Sequence, residues 1–275
     1  MKKQYDLIFG IGEACLCSQA LRNDNLQVFS YPFDWVYGAL LHNRVEILTN
    51  KFKDFFNKED LVKIGSRTSQ EEPRDNYKNN ATNICFPHEF SYRADFNECY
   101  ADINEKYTRR INRLLSQIST AKSILIVFVE IPNISENNTN NSDLLQAYNR
   151  IIETYGTKNN KIDFLYFTHI ENFKGIKTET ISDNITKITM DYHSKKKNAI
   201  PEQCNFKAIH KVFKHYSLNM PFKKHLSFVI KQYIDIGKLK RGFYCTIFPK
   251  MFNLLRIKLL FIGCRIDLSI GRKID

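Results

Sequence analysis

A chain of 275 residues is long enough to bury a sizeable core, as one large domain or as one domain with an appendage. Its 43% apolar and 25% charged residues are ordinary for a soluble globular protein and argue against a disordered or fibrous chain. The net charge of +12 is uneven: residues 221–275 hold twelve Lys or Arg against three Asp, a net of +9, and the rest is nearly balanced.

Tyr5–Gly12 is an apolar run of strand length, and Cys15–Arg22 has the pattern of a helix. Leu26–Tyr31 is expected as a second, short strand. Asp34 then stands before a helix predicted over residues 35–48, with Val36, Leu40, Leu41, Val45 and Leu48 on one face. Residues 64–82 are polar and rich in Asn, Ser and Arg, as in a surface loop. The spacing of Ile103, Tyr107, Ile111, Leu114 and Ile118 predicts a helix over 100–120. Ile124–Ile131 is a continuous, β-branched run, as expected of a strand buried on both faces. An Asn-rich linker over 135–142 leads to an amphipathic helix marked by Leu144, Leu145, Tyr148, Ile151 and Ile152. Ile162–Phe167 and Ile185–Met190 read as further strands. A helix carrying Phe206, Ile209, Val212, Phe213 and Tyr216 closes the body.

Strands separated by helices imply parallel crossovers. The expected fold is therefore α/β: an open, mainly parallel sheet flanked by helices over residues 1–220, with a basic amphipathic helical extension over 221–275. Ligands in such sheets bind beyond the carboxyl ends of the strands, and Cys15 lies just beyond the first one. A thiol at the first turn of a helix faces unpaired N–H groups and the positive end of the helix dipole, both of which favour a thiolate. Gly10 and Gly12 permit a sharp turn and close approach by a substrate. The opposing reading is that Cys15 is a small core residue.

The seven cysteines are scattered and odd in number, and no secretory signal precedes them, so reduced thiols in a cytoplasmic protein are expected. Cys15-Leu-Cys17 lacks the spacing of a zinc or redox pair, and neither a metal nor a cofactor is expected. Thiol catalysis needs an imidazole and a group to orient it. His88, beside Pro87 and between aromatic residues, is the best candidate, with a structural loop histidine as its alternative. His42 and His215 read as surface or packing residues. Asp34 is a candidate to orient His88 or, alternatively, a helix N-cap. Trp35, the single tryptophan, suits a pocket wall or a core position. Arg109 and Arg113 share a helix face with Lys106, and Arg110 lies near the apolar stripe. These arginines are candidates for an anionic substrate or for internal carboxylate pairs.

Four blocks, Gly12-Glu-Ala-Cys15, Ser30-Tyr-Pro-Phe-Asp-Trp35, Phe86-Pro-His-Glu-Phe90 and Lys106-Tyr-Thr-Arg-Arg-Ile-Asn-Arg113, stand in the order seen in a bacterial family grouped as papain-like cysteine peptidases. The chain resembles that family over residues 5–130, and Pro-Phe-Asp-Trp is its most specific element. The resemblance implies Cys15 as nucleophile and His88 as its base, with Glu89 where the family favours Asp. It also implies, as the alternative fold, a papain-type α+β arrangement with the cysteine on a long helix against an antiparallel sheet.

Three functions follow as expectations. The first is a cysteine-dependent hydrolase or acyl transferase built on Cys15 and His88. The second is an esterase of the GDSL type with a cysteine nucleophile, drawing on the late Asp191-Tyr-His193 segment. The third is a non-catalytic accessory protein of surface-polysaccharide synthesis. In that third reading residues 221–275 dock on the anionic inner face of a membrane, and their mixed apolar and basic run Phe252–Gly263 is too short and too charged to span it. No nucleic-acid motif accompanies the basic residues.

Overall fold

The computed structural model describes residues 2–68, 72–131, 139–191 and 206–220. The first apolar run is two strands, β1 (Lys3–Tyr5) and β2 (Leu7–Gly10). Asp6 divides them: its carboxylate accepts the backbone N–H groups of Lys122 (3.0 Å) and Ser123 (3.1 Å). The chain thereby passes from one sheet to another. β1 pairs in parallel with β11 (Tyr216–Leu218), whereas β2 pairs with β7 (Ser123–Val129).

The main sheet continues from β7 to β8 (Lys161–His169), β10 (Ile185–Met190) and β9 (Ile176–Ser182), in the order β2-β7-β8-β10-β9. All of its pairings are parallel except β10 with β9. Alternate residues of the inner strands enter two different cores. Ile124, Ile126, Phe128, Phe164 and Tyr166 face α2 (Leu41–Thr49), α3 (Phe96–Thr120) and α4 (Asn141–Tyr155). Leu125, Val127, Val129, Leu165 and Phe167 face α1 (Cys15–Asn23) and α5 (Phe206–Phe213). The fold is the α/β sheet with flanking helices that the sequence predicts.

Between α1 and α3 the chain adds a second, antiparallel sheet. It is made of β3 (Tyr37–Gly38), β4 (Leu61–Arg67), β5 (Arg74–Asn79) and β6 (Ile84–Ser91), in the order β3-β6-β5-β4. Here several expectations fail. Residues 35–40 are not helical, because Gly38 (φ 79°) and Ala39 (φ 55°) take left-handed conformations and α2 begins only at Leu41. A side chain at Gly38 would place its Cβ 2.7 Å from the Asn83 carbonyl. Leu26–Tyr31 forms no strand. Residues 64–82, expected as a loop, carry part of β4 and all of β5. Their polar residues hid an alternation in which Asp75, Tyr77 and Asn79 point inward. Buried Asp75 is matched by Lys63, Ser66 and the Arg93 N–H, as a polar interior group requires.

The last helix ends at Phe213, and Tyr216 opens β11 instead. The Asn-rich linker lies largely outside the described residues, although Asn140 within it caps α4 in a reciprocal capping box with Asp143. The expected extension over 221–275 and His193 also lie outside them. Among the described residues no helix is long and apolar enough to cross a membrane.

The turn between β2 and α1 depends on Gly12. A Cβ there would lie 2.6 Å from the Cys17 Cβ, 2.9 Å from the Val129 nitrogen and 3.0 Å from its oxygen. Gly12→Ala is expected to destabilise the protein by about 1–3 kcal/mol through overpacking against backbone that cannot yield. Urea unfolding of the variant beside the parent measures this, and an unchanged midpoint would contradict it.

Candidate functional site

Cys15 is the first residue of α1, after an Ala14 N-cap in extended conformation whose side chain makes no capping bond. Cys15 is half-buried and in no disulfide. Cys17, two residues on, is directed elsewhere, since neighbours at i and i+2 do not share a helix face. It packs into the sheet, 2% exposed, with its Sγ 3.4 Å from the Val127 carbonyl as donor. A Cβ at Gly10 would come within 2.6 Å of that sulfur. The glycines thus let the structural thiol seat itself and leave Cys15 at the edge.

The residues before Cys15 are held from two sides. The Glu13 N–H donates to the Val129 carbonyl at 3.2 Å, and one Glu13 carboxylate oxygen accepts the Ile131 N–H at 2.8 Å. The Glu13 carbonyl accepts from Arg44 Nη2 at 3.1 Å. Arg44 is fully buried on α2 and also donates to the Gly38 carbonyl (Nη2, 2.7 Å; Nε, 3.0 Å) and the Ala39 carbonyl (Nε, 3.1 Å). Its guanidinium lies 5.3 Å from the centre of the Phe33 ring. Burial pushes the Glu13 carboxyl up to about 7, against the pull of the Ile131 N–H and of Arg44. Burial also brings Arg44 down to about 10, opposed by Glu13.

The same turn is joined to the Asp34–Trp35 segment. The Ser18 hydroxyl lies 3.0 Å from the Cys15 carbonyl and 2.9 Å from the Asp34 carbonyl, within donating distance of both. The Asp34 carboxylate is not a helix cap, since α2 begins at Leu41, seven residues later. Its Oδ2 accepts from Arg22 Nη2 (2.9 Å), Gln27 Nε2 (2.8 Å) and the Tyr31 N–H (2.9 Å). These bonds fold the segment that was expected to be a strand. The Trp35 ring meets the His88 ring edge-on, with centroids 6.4 Å apart and planes at 89°.

His88 lies on β6, not in a loop, and is exposed. Its outward aim has a cause in the strand register. Phe86 stands opposite Tyr77 and Phe90 opposite Asp75, so β6 passes four residues where β5 passes two. The excess is a bulge at Pro87–Glu89, where proline has no N–H to offer the ladder. Glu89 turns toward α3 and accepts from Lys106 and from the Tyr107 hydroxyl (2.8 Å). Burial and the nearby arginines lower Lys106 to about 8. Arg109 forms an exposed i,i+4 pair with Glu105 at 2.5 Å. Arg110 stacks on Tyr107 at 5.4 Å, and Arg113 donates to the Ser30 carbonyl at 3.2 Å.

Further polar groups stand at the carboxyl ends of the parallel strands, and of these sequence reasoning singled out Asp191 but missed Glu130 and His169. Glu130 follows β7, His169 ends β8, and Asp191 follows β10. Thr168 donates to Glu130, and Asp191 accepts the Asn172 N–H at 3.2 Å. Burial lowers the His169 imidazole to about 4, against the upward influence of the Glu130 backbone and Asp191. The only signal for Glu130 and His169 was position: each stands at or just past the end of an apolar run.

The chain belongs to the family described as "Putative papain-like cysteine peptidase (DUF1796)". The match covers residues 6–172, from the start of β2 to just beyond β8, and so takes in Cys15, Arg44, His88 and His169. No curated protein and no solved structure gives a significant match. Among the described residues no cluster of His, Cys, Asp and Glu has the form of a metal site.

The raised Glu13 carboxyl makes stability depend on pH. In the unfolded chain it ionises near 4.5, whereas in the fold it keeps its proton to about 7. The unfolded state therefore binds fewer protons in that window, and stability falls as pH rises through it, by about 3 kcal/mol in all. Glu13→Gln is expected to flatten this slope between pH 4.5 and 7 in urea titrations. An identical slope in the variant would place the titration on another group.

Proposed function

We propose that the protein is a cysteine-dependent hydrolase or acyl transferase in which Cys15 attacks a carbonyl and His88 moves the proton. The observation that carries this reading is the linkage of Ser18, which connects the Cys15 turn to Asp34, and so to the Trp35–His88 ring pair. In the reaction, the Cys15 sulfur bonds to the carbonyl carbon as its thiol proton passes to His88. That proton then goes to the departing amine or alcohol, leaving a thioester. Water or an acceptor nucleophile cleaves the thioester and regenerates the thiol. The Leu16 N–H, in the first turn of α1, is the candidate donor to the oxyanion. Trp35 forms a wall beside the imidazole. Asp34 positions this wall through its Arg22, Gln27 and Tyr31 bonds rather than by holding the imidazole itself.

A second reading keeps Cys15 and takes the imidazole of His169, the last residue of β8. The proximity of Asp191 to His169 favours it, and it is the counterpart of the late Asp-His arrangement of GDSL-type esterases. On charge alone, residues 221–275 suit an anionic membrane surface, with the α/β body on the cytoplasmic side.

Alkylation by iodoacetamide, followed at the Cys15 peptide by mass spectrometry, tests the assignment. Cys17→Ala is expected to leave Cys15 modification intact. His88→Ala is expected to slow it at neutral pH by at least tenfold, within the range of a lost acid–base partner. If His169→Ala slows it and His88→Ala does not, the second reading replaces the first. If neither variant changes the rate, both pairings fall.

A further inference from the structure

One buried guanidinium touches all three segments that carry the candidate site. Arg44 Nη2 donates to the Glu13 carbonyl, two residues before Cys15, at 3.1 Å and to the Gly38 carbonyl at 2.7 Å. Its Nε donates to the Gly38 and Ala39 carbonyls at 3.0 and 3.1 Å. The guanidinium carbon stands 5.3 Å from the centre of the Phe33 ring, two residues before Trp35. Gly38 in turn pairs with Ile84, and Tyr37 with Cys85, on the strand that displays His88. A single nitrogen is therefore shared between the turn of the nucleophile and the sheet of the base.

Both ends of this connection are fixed. On α2, Val45 and Leu48 are buried in the core, and the Leu48 carbonyl accepts the Tyr155 hydroxyl of α4 at 2.5 Å. Phe33 packs against Phe52 and Phe55, with ring centres 5.2 and 5.7 Å away. At the far end the Tyr37 hydroxyl accepts from Asn76 Nδ2 at 2.5 Å and shares a hydrogen bond with the Cys85 side chain, so β3 is held to its neighbours. Every hydrogen bond of the Arg44 side chain goes to a backbone carbonyl, and Nη1 has no hydrogen-bond partner among the described residues. What such a side chain supplies is direction. The donors of a guanidinium lie at fixed angles in one plane, which a lysine ammonium cannot reproduce.

We propose that Arg44 is a positioning residue, whose planar fork sets the Cys15 turn in register with the β3–β6 edge and so brings His88 within reach of the sulfur. With no exposed surface, Arg44 acts through the carbonyls it holds and touches no substrate. Its geometry matters here more than its charge, so lysine does not replace it. An arginine that served stability alone would leave the dependence of Cys15 on His88 unchanged in every variant that folds. This inference rests on the Cys15–His88 reading and adds to it the group that assembles the pair.

A double-mutant cycle on the full chain tests the coupling. The rate of Cys15 modification by iodoacetamide at neutral pH is measured in the parent, Arg44→Lys, His88→Ala and the double variant, with thermal melts to show which fold. Arg44→Lys is expected to slow modification about as much as His88→Ala does, by about tenfold or more. In the Arg44→Lys background, His88→Ala is expected to change the rate by less than about twofold, because the imidazole is already out of reach. Gly38→Ala gives a second case that leaves Arg44 in place. Its Cβ would lie 2.7 Å from the Asn83 carbonyl, which displaces the carbonyl that two Arg44 nitrogens share. The same loss of His88 dependence is expected there, and it decides the matter should Arg44→Lys fail to fold. A folded variant that keeps the parent rate, or in which His88→Ala still slows modification by the full factor, overturns the positioning role and leaves the pair standing. If neither variant folds, Arg44 is a determinant of the fold and the role is overturned as well. If His88→Ala has no effect in the parent, the Cys15–His88 reading falls, and the role of Arg44 with it.

Discussion

A single buried cation ties the candidate nucleophile to the sheet that carries its candidate base. Arg44 has no exposed surface, and three backbone carbonyls, those of Glu13, Gly38 and Ala39, converge on its guanidinium. Removing one side of a buried ionic arrangement costs roughly 3–5 kcal/mol, so this geometry is held tightly. Glu13 lies two residues before Cys15, and Gly38 pairs through β3 with Ile84 of β6, the strand of His88. The left-handed backbone at Gly38 and Ala39 belongs to the same device, because it brings two successive carbonyls within reach of one side chain.

The two sheets divide the work. The parallel sheet supplies a stiff edge at which β2 ends and α1 begins, with Gly10 and Gly12 allowing Cys17 to fill the space beneath. The antiparallel sheet supplies an imidazole on a bulge. Its core is aromatic: Phe55, Phe56, Phe86 and Tyr107 meet at ring distances of 4.9–5.7 Å. Close-packed rings of this kind leave little freedom at the strand that displays His88. Glu89 strengthens the point from the other side by bonding to Lys106 and Tyr107 of α3. The bulge sends adjacent residues in opposite directions, one to solvent and one into the body.

Much of the parallel sheet was legible in the sequence, because β7, β8 and β10 are continuous apolar runs and α1, α3 and α4 keep a helical period. The antiparallel sheet was not. Its inward positions include Asp75 and Asn79, whose partners come from distant residues that no local pattern reveals. The helix predicted from residue 35 failed at Gly38 and Ala39. With it went the reading of Asp34 as a cap, since that reading needed a helix six residues early. Cys15, Trp35 and His88 could be singled out because their chemistry is conspicuous. Arg44 could not, because an arginine on an amphipathic helix reads as a solvent-facing charge until the carbonyls around it are known.

The charges beneath the Cys15 turn do not cancel at neutral pH, and this bears on what the turn can hold. Arg44 remains cationic well above pH 7, whereas burial leaves Glu13 only partly ionised there. A fully ionised Glu13 would offset the guanidinium and set a negative charge two residues from the sulfur. A partly protonated one offsets the guanidinium less, and the remaining positive charge of Arg44 adds to the dipole of α1. The carboxyl still performs its structural task in either state, because an oxygen can accept the Ile131 N–H whether or not the group carries a proton. Burying Glu13 so deeply thus serves two ends: it fixes the turn, and it keeps a carboxyl two residues from Cys15 only partly ionised at neutral pH.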